Sequence, residues 1–259
     1  MTDDPIIHGD STLPVLRSEF CSLIVTSPPY NLGKPYGDDP DSDARAYAEY
    51  LKFTRAWLSN AYFYSRGFGR MCVNIALDTS VGGKRPLAVD FITQAMKCGW
   101  KYRSTIVWVN GNGNTPNRTA WGSWKSASAP NIITPVETII VLYKNEWKLS
   151  MGMNPPESDI TADEFKEWVL GLWNITGESA KRIGHPAPFP RELARRCIKL
   201  FSFPGSVVVD PFAGSGTTVI EALIHGREAV GIEKEKRYVE LARSRIEREC
   251  GKIFLDGAK

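Results

Sequence analysis

Five consecutive residues, Thr26-Ser27-Pro28-Pro29-Tyr30, bring together groups that can hold an amine. Two prolines fix the backbone and donate no N–H, so the carbonyls there can be presented as acceptors. The Ser27 hydroxyl accepts as well as donates, and Tyr30 offers a flat aromatic face. Acceptors beside a ring describe a pocket for a planar group that carries an NH₂.

A second stretch, Asp210-Pro-Phe212-Ala-Gly214-Ser215-Gly216-Thr217-Thr218, is a glycine-rich turn closed by hydroxyls. Its glycines let the backbone come close to a ligand. A phosphate-binding P-loop needs Lys after its last glycine, where Thr217 stands, and a dinucleotide fingerprint needs a third glycine at Val219. Glu233 ends the strand after the turn, where an acid can accept hydrogen bonds from two ribose hydroxyls. A nucleoside without a phosphate fits this pattern.

Both stretches need elements to hold them. Ser22–Thr26 and Val207–Asp210 are short apolar runs that read as buried strands leading into these loops. Further strands are expected at Met71–Leu77, Tyr102–Val109, Val136–Tyr143 and Glu228–Ile232. A helix capped by Asp41 or Ser42 should run to about Ser65, burying a stripe of Tyr47, Leu51, Thr54, Leu58 and Ala61. Others should run from Pro86 to Gly99, from a Thr161–Glu164 capping box to about Leu170, and over Arg191–Phe201, Thr217–His225 and Lys234–Glu249. Strands alternating with helices imply an α/β fold: a mainly parallel, twisted sheet with helices on both faces.

The chain has 259 residues, with 32 Lys and Arg against 29 Asp and Glu. That balance is too even to imply a nucleic-acid partner by itself. The composition excludes collagen, coiled coil and wholesale disorder, and the length fits one domain over 1–259. No window approaches the roughly 20 apolar residues of a membrane helix. The first residues have no basic-then-apolar run, so no secretory signal is expected. Five scattered cysteines without a CxxC pair suggest reduced thiols, no zinc site and a cytoplasmic location.

Together, TSPPY and DPFAGSGTT resemble the amino-methylating DNA methyltransferases that use S-adenosylmethionine. The catalytic motif precedes the glycine loop, which resembles the permuted β-type order of that family. His8-Gly9-Asp10 resembles the motif whose acid contacts the cofactor adenine. His185-Pro-Ala-Pro188-Phe189 resembles the motif that closes over the cofactor, with Phe189 where many members have Lys. The stretches Gly231-Ile-Glu233 and Tyr238-Val-Glu-Leu-Ala242 are similar to the family's segment after the glycine loop.

The resemblance implies a Rossmann-like, S-adenosylmethionine-dependent methyltransferase fold and assigns roles. Ser27, Pro28, Pro29 and Tyr30 would be catalytic. Asp10, Thr26, His185, Pro188, Phe189, Asp210, Phe212, Gly214, Ser215, Gly216, Thr217, Thr218 and Glu233 would bind the cofactor, and no metal is called for. The substrate would be double-stranded DNA with a short target, the reacting base flipped out of the helix.

Serine at the first motif position is typical of members that methylate the N4 amine of cytosine, and Trp121–Ser128 is similar to a stretch found among them. Aspartate or asparagine is typical of the N6-adenine members, which remain the alternative. Methylation at cytosine C5 needs a Cys after a Pro, which no cysteine here offers. A protein-glutamine methyltransferase and a catalytically inactive DNA-binding protein of the same fold are the other readings. A chain of this kind can accompany a restriction endonuclease or act alone, as a monomer or a homodimer.

DNA contact is expected in the long connection Asn110–Asn131, through Arg118, Trp121, Trp124 and Lys125. Arg and Lys suit phosphates or guanine edges, and the tryptophans suit stacking or wedging. The competing reading is a loop folded onto the body by its two tryptophans. Residues 144–184 could hold a small target-recognition insert. The basic runs Arg191/Arg195/Arg196/Lys199 and Lys234–Arg248 are expected to be solvated helix faces.

Overall fold

The computed structural model describes residues 4–34, 36, 43–78, 85–110, 127, 134–149, 157–178, 183–184 and 190–256. In chain order the elements are β1 (Ile6–His8), β2 (Cys21–Thr26), α1 (Tyr47–Tyr64), β3 (Ser65–Ala76), α2 (Leu87–Lys97), β4 (Lys101–Asn110) and β5 (Val136–Tyr143). They continue with α3 (Ala162–Trp168), β6 (Leu172–Ile175), α4 (Arg191–Phe201), β7 (Val207–Asp210), α5 (Thr217–Ile224), β8 (Glu228–Glu233) and α6 (Lys236–Asp256).

The eight strands form one sheet in the order β1-β8-β7-β2-β3-β5-β4-β6. Every neighbouring pair is parallel except the two made by β5, which runs against β3 and β4. Strands β7 and β2 lie side by side at the centre. From β7 the chain crosses through α5 to β8 on one side; from β2 it crosses through α1 to β3 on the other. The connections diverge there, opening a crevice at the carboxyl ends of the strands, where ligands bind in open α/β sheets. Both motif loops leave from these two strands.

Side chains of β2 alternate between two cores, as a strand covered on both faces requires. Leu23 and Val25 pack with Leu193, Ile198, Ile220 and Ile246 of α4, α5 and α6. Ile24 packs with Trp57, Leu58 and Phe91 of α1 and α2. The Thr161 capping box forms as expected, with both reciprocal hydrogen bonds present.

Several expectations need correction. Helix α1 begins at Tyr47, with Ala46 at its N-cap position and no side-chain cap. Asp41 and Ser42 lie outside the described residues. The buried stripe of α1 is Tyr50, Thr54, Trp57, Leu58, Ala61 and Tyr64, with Tyr47 and Leu51 only partly buried. Strands β1 and β6 are absent from the sequence reading: β1 has only three residues, and β6, Leu172-Trp-Asn-Ile175, lacks the continuous apolar run that marks the equally short Val207–Asp210. Within the stretch expected as an insert, residues 172–175 are β6, paired with β4 as part of the main sheet.

The basic residues of α4 are not a solvated face. Arg195 pairs with Glu192 and Glu164, Arg196 with Glu192 and Glu167, and Lys199 with Glu164, tying α3 to α4. Arg196 and Lys199 are buried, and the Arg196 guanidinium lies 5.3 Å from the Trp168 ring centre. On α6, Arg245 is likewise buried and donates to the Ser215 carbonyl at 2.7 Å, holding the glycine loop from behind.

Candidate active site

A cavity of about 610 Å³ opens at the carboxyl ends of the central strands, within the usual range for small-molecule sites. It has two halves. One is lined by the segments just after β1, β7 and β8. The other is lined by Ser27–Tyr30 together with Asn74, Trp108, Asn110 and Glu137.

The first half is held largely by backbone. The Glu233 side chain, at the end of β8, accepts from the Gly214 N–H with one carboxylate oxygen and from the Glu235 N–H with the other, each at 2.8 Å. Each oxygen keeps a lone pair for a further donor. Burial raises the Glu233 carboxyl above its ordinary value, against the pull of these N–H donors. Asp10 accepts from the Thr12 hydroxyl and N–H at 2.7 and 2.9 Å, and Lys234 lies 3.2 Å from it. Burial opposes the ionised form of Asp10, but the Thr12 and Lys234 contacts outweigh it and hold the carboxyl below its ordinary value.

Gly231, inside β8, has no room for a side chain: a Cβ there would meet the Ala213 Cβ at 2.7 Å and the Ile6 Cδ1 at 2.8 Å. Its absence lets the glycine loop rest on the strand. Gly216 takes a left-handed φ of 80° where α5 begins. Paired acceptors over a closely approached backbone fit a ribose and its base better than a phosphate.

The second half is held by side chains. The Tyr30 hydroxyl donates to Glu137 Oε2 at 2.8 Å. Asn74 Nδ2 donates to the Tyr30 oxygen at 2.7 Å and to Glu137 Oε2 at 2.8 Å. Ser27 Oγ lies 2.9 Å from the Tyr30 oxygen. Burial first, and the Glu137 charge second, push the Tyr30 phenol well above its ordinary value, so it keeps its proton. The Pro29 carbonyl is engaged by the Tyr50 hydroxyl at 3.3 Å. Trp108 is buried behind the cavity, its indole N–H held by the Ile175 carbonyl at 2.8 Å.

Asp210 joins the halves from beneath. One carboxylate oxygen accepts from the Thr26 hydroxyl at 2.7 Å and from the Phe212 N–H at 3.0 Å, so the ends of β2 and β7 are tied together. Complete burial pushes its carboxyl up to about 6, although Thr26, Thr218 and Phe212 donate to it.

Of the residues singled out in the sequence, Asp10, Ser27, Pro28, Pro29, Tyr30, Phe212, Gly214 and Glu233 line the cavity. Thr26, Asp210, Ser215, Gly216, Thr217 and Thr218 are buried and are not among its lining residues. His185, Pro188 and Phe189 lie outside the described residues, as do Arg118, Trp121, Trp124 and Lys125. Sequence reasoning misses Asn74, Trp108, Glu137 and the supporting Arg245. Asn74 and Glu137 do carry a signal: Asn74 is a polar residue within the apolar run Met71–Leu77, and Glu137 is an acid in the mainly apolar β5.

Comparison with known proteins agrees with this geometry. A family model described as DNA methylase, N6_N4_Mtase, matches residues 21–244. The chain is 48% identical to the type II methyltransferase M.MjaVI of Methanocaldococcus jannaschii, over 69% of this chain and 88% of that protein. It is 28% identical to the type II methyltransferase M.ScaI of Streptomyces caespitosus, over 98% and 84%.

Among solved structures, it is similar to a DNA modification methylase of Thermus thermophilus complexed with S-adenosyl-L-methionine. That match has a TM-score of 0.72 and 28% identity, covering 95% of this chain and 94% of the other. The cytosine-N4-specific PvuII DNA methyltransferase shares the fold, at a TM-score of 0.67 and 23% identity over 92% and 84%. The chain belongs to the DNA methylase family and is a DNA methyltransferase of the amino-methylating kind.

Proposed function

We propose that the enzyme methylates the exocyclic N4 amine of cytosine in a short double-stranded DNA target. The observation that carries this reading is Ser27 in the lining of the second half-cavity, beside Tyr30. A hydroxyl stands where adenine-specific relatives typically carry Asp or Asn.

The cofactor is S-adenosylmethionine, whose sulfonium supplies an electrophilic methyl when bound. Glu233 would take its ribose hydroxyls on the two free lone pairs, and Asp10 its adenine. The Gly214 turn would lie against the rest. Transfer of that methyl needs little from the protein beyond alignment and exclusion of water. Ser27 and the Pro28 carbonyl hold the amine hydrogens and aim the nitrogen lone pair. Tyr30 stacks on the base, which must leave the duplex to reach this depth. Arg118, Trp121, Trp124 and Lys125 are the residues proposed to contact DNA. The type II methyltransferases it resembles suggest a role in restriction–modification, with a companion endonuclease as partner.

Incubation with labelled S-adenosylmethionine and mixed-sequence DNA, then mass spectrometry of the nucleosides, tests the reading. N4-methylcytosine is expected. N6-methyladenine alone would overturn the base assignment and leave the amine chemistry standing; 5-methylcytosine would overturn both.

A further inference from the structure

The hydrogens around Tyr30 can be assigned by counting. Its hydroxyl has one hydrogen, and Glu137 Oε2, an acceptor with no hydrogen of its own, is 2.8 Å away. Asn74 spends both hydrogens of Nδ2 on Tyr30 and Glu137; the reversed amide would set its oxygen against the carboxylate. The Tyr30 oxygen is therefore left as an acceptor. Ser27 Oγ, 2.9 Å from it, must be the donor in that contact. The chain has one direction: Ser27 to Tyr30 to Glu137. Ser27 then faces the cavity with lone pairs only, which is what an incoming N–H requires.

We infer that Glu137 is a positioning residue that sets this direction and takes up, through Tyr30 and Ser27, the proton the amine must lose. The inference rests on the amine-methylation reading, for either base. As the nitrogen forms its bond to the methyl carbon, the carbon–sulfur bond breaks and its electron pair stays on sulfur. The nitrogen then carries one proton too many. That proton passes to Ser27 Oγ while the Ser27 proton passes to the Tyr30 oxygen and the Tyr30 proton to Glu137. The shift is concerted, so the phenol never becomes a phenolate. Glu137 is only partly buried and returns the proton to water after product leaves.

The test uses the full chain and the variants Glu137→Gln, Tyr30→Phe and the double variant. Gln can still accept from Tyr30 and Asn74 but cannot take a proton; Phe keeps the stacking ring. Single-turnover methyl transfer should fall about 10²-fold in each single variant, the low end for proton transfer by a placed group. The double variant should fall no further. Cofactor affinity by calorimetry should stay within about twofold by the same argument. So should fluorescence of 2-aminopurine placed at the methylated position, since neither variant removes a stacking surface.

A wild-type rate in Glu137→Gln overturns the inference. So do multiplicative losses in the double variant, or loss of base capture in step with rate. If Glu137→Gln fails to fold in a thermal melt, Tyr30→Phe decides, and a wild-type rate there overturns it. Failure of the underlying reading looks different: the wild-type protein itself would give no N-methylated base.

Discussion

The two halves of the cavity are built on different principles. The half around Glu233 is a backbone construction, in which strand ends, tight glycines and N–H groups are pinned by one carboxylate. The half around Tyr30 is a side-chain construction, in which Ser27, Asn74 and Glu137 arrive from three strands or strand ends and meet at one hydroxyl. A backbone site is rigid and suits a ligand that is the same in every turnover. A hydrogen-bonded side-chain site has a direction and can move protons, which suits the half where bonds change.

The sharpest break between them should come at Ser27. Ser27→Ala is expected to lower turnover by about 10²-fold or more, by analogy with removing one preorganised polar group at a reacting centre. Cofactor affinity by calorimetry should be unchanged. A parallel loss of cofactor binding would mean that the halves are one site.

Asp210, which ties them together, should appear in the pH dependence of stability. Unfolded, it ionises near its ordinary 3.8; folded, near 6. Below about pH 4 both states hold the proton. Between there and about pH 6 the unfolded chain releases it first, so stability falls as pH rises. The loss is up to about 3 kcal/mol for a shift of this size. Urea denaturation across pH 4 to 7 should show this fall in the wild type and a flatter profile in Asp210→Asn.

In the backbone half, Glu233→Ala should weaken S-adenosylmethionine binding by about 1–3 kcal/mol, the cost of leaving buried donors unmet. DNA affinity should be intact. A change outside both halves sets the floor. Arg195→Ala should cost at most about 1 kcal/mol of stability, as a partly exposed ion pair. It should leave DNA affinity and its salt dependence unaltered, and a changed salt slope in a filter-binding series would return α4 to the DNA surface.

The same contrast explains what can be read from the sequence. The backbone half is legible because most of its parts are local: a strand, a glycine turn, a helix and the next strand-end acid all fall between Val207 and Glu233, and only the segment around Asp10 comes from the far end of the chain. The limits of β5 and α4 are legible for a related reason, since a mainly apolar run or a strong helical period marks its own ends. Of the side-chain half, only Ser27–Tyr30 can be read. Asn74 and Glu137 are isolated polar letters in mainly apolar stretches, and nothing local says that β5 runs antiparallel beside β3 to bring them together. The cations of α4 mislead because their partners on α3 are distant in sequence, and a charge run alone does not reveal whether it is spent.

The pairing of β1 with β8 has a consequence for how the protein acquires function during synthesis. Ile6 lies beside Gly231, so the backbone half is closed by two segments that span most of the chain. Pairings between such distant segments form slowly. The Tyr30 network has all of its members once residue 137 has left the ribosome, whereas the cofactor half waits for β8. A ribosome-bound chain should therefore gain its reaction chamber before it can hold a methyl donor. S-adenosylmethionine, by binding only the closed form, should act as a late folding ligand that draws the last strands into place.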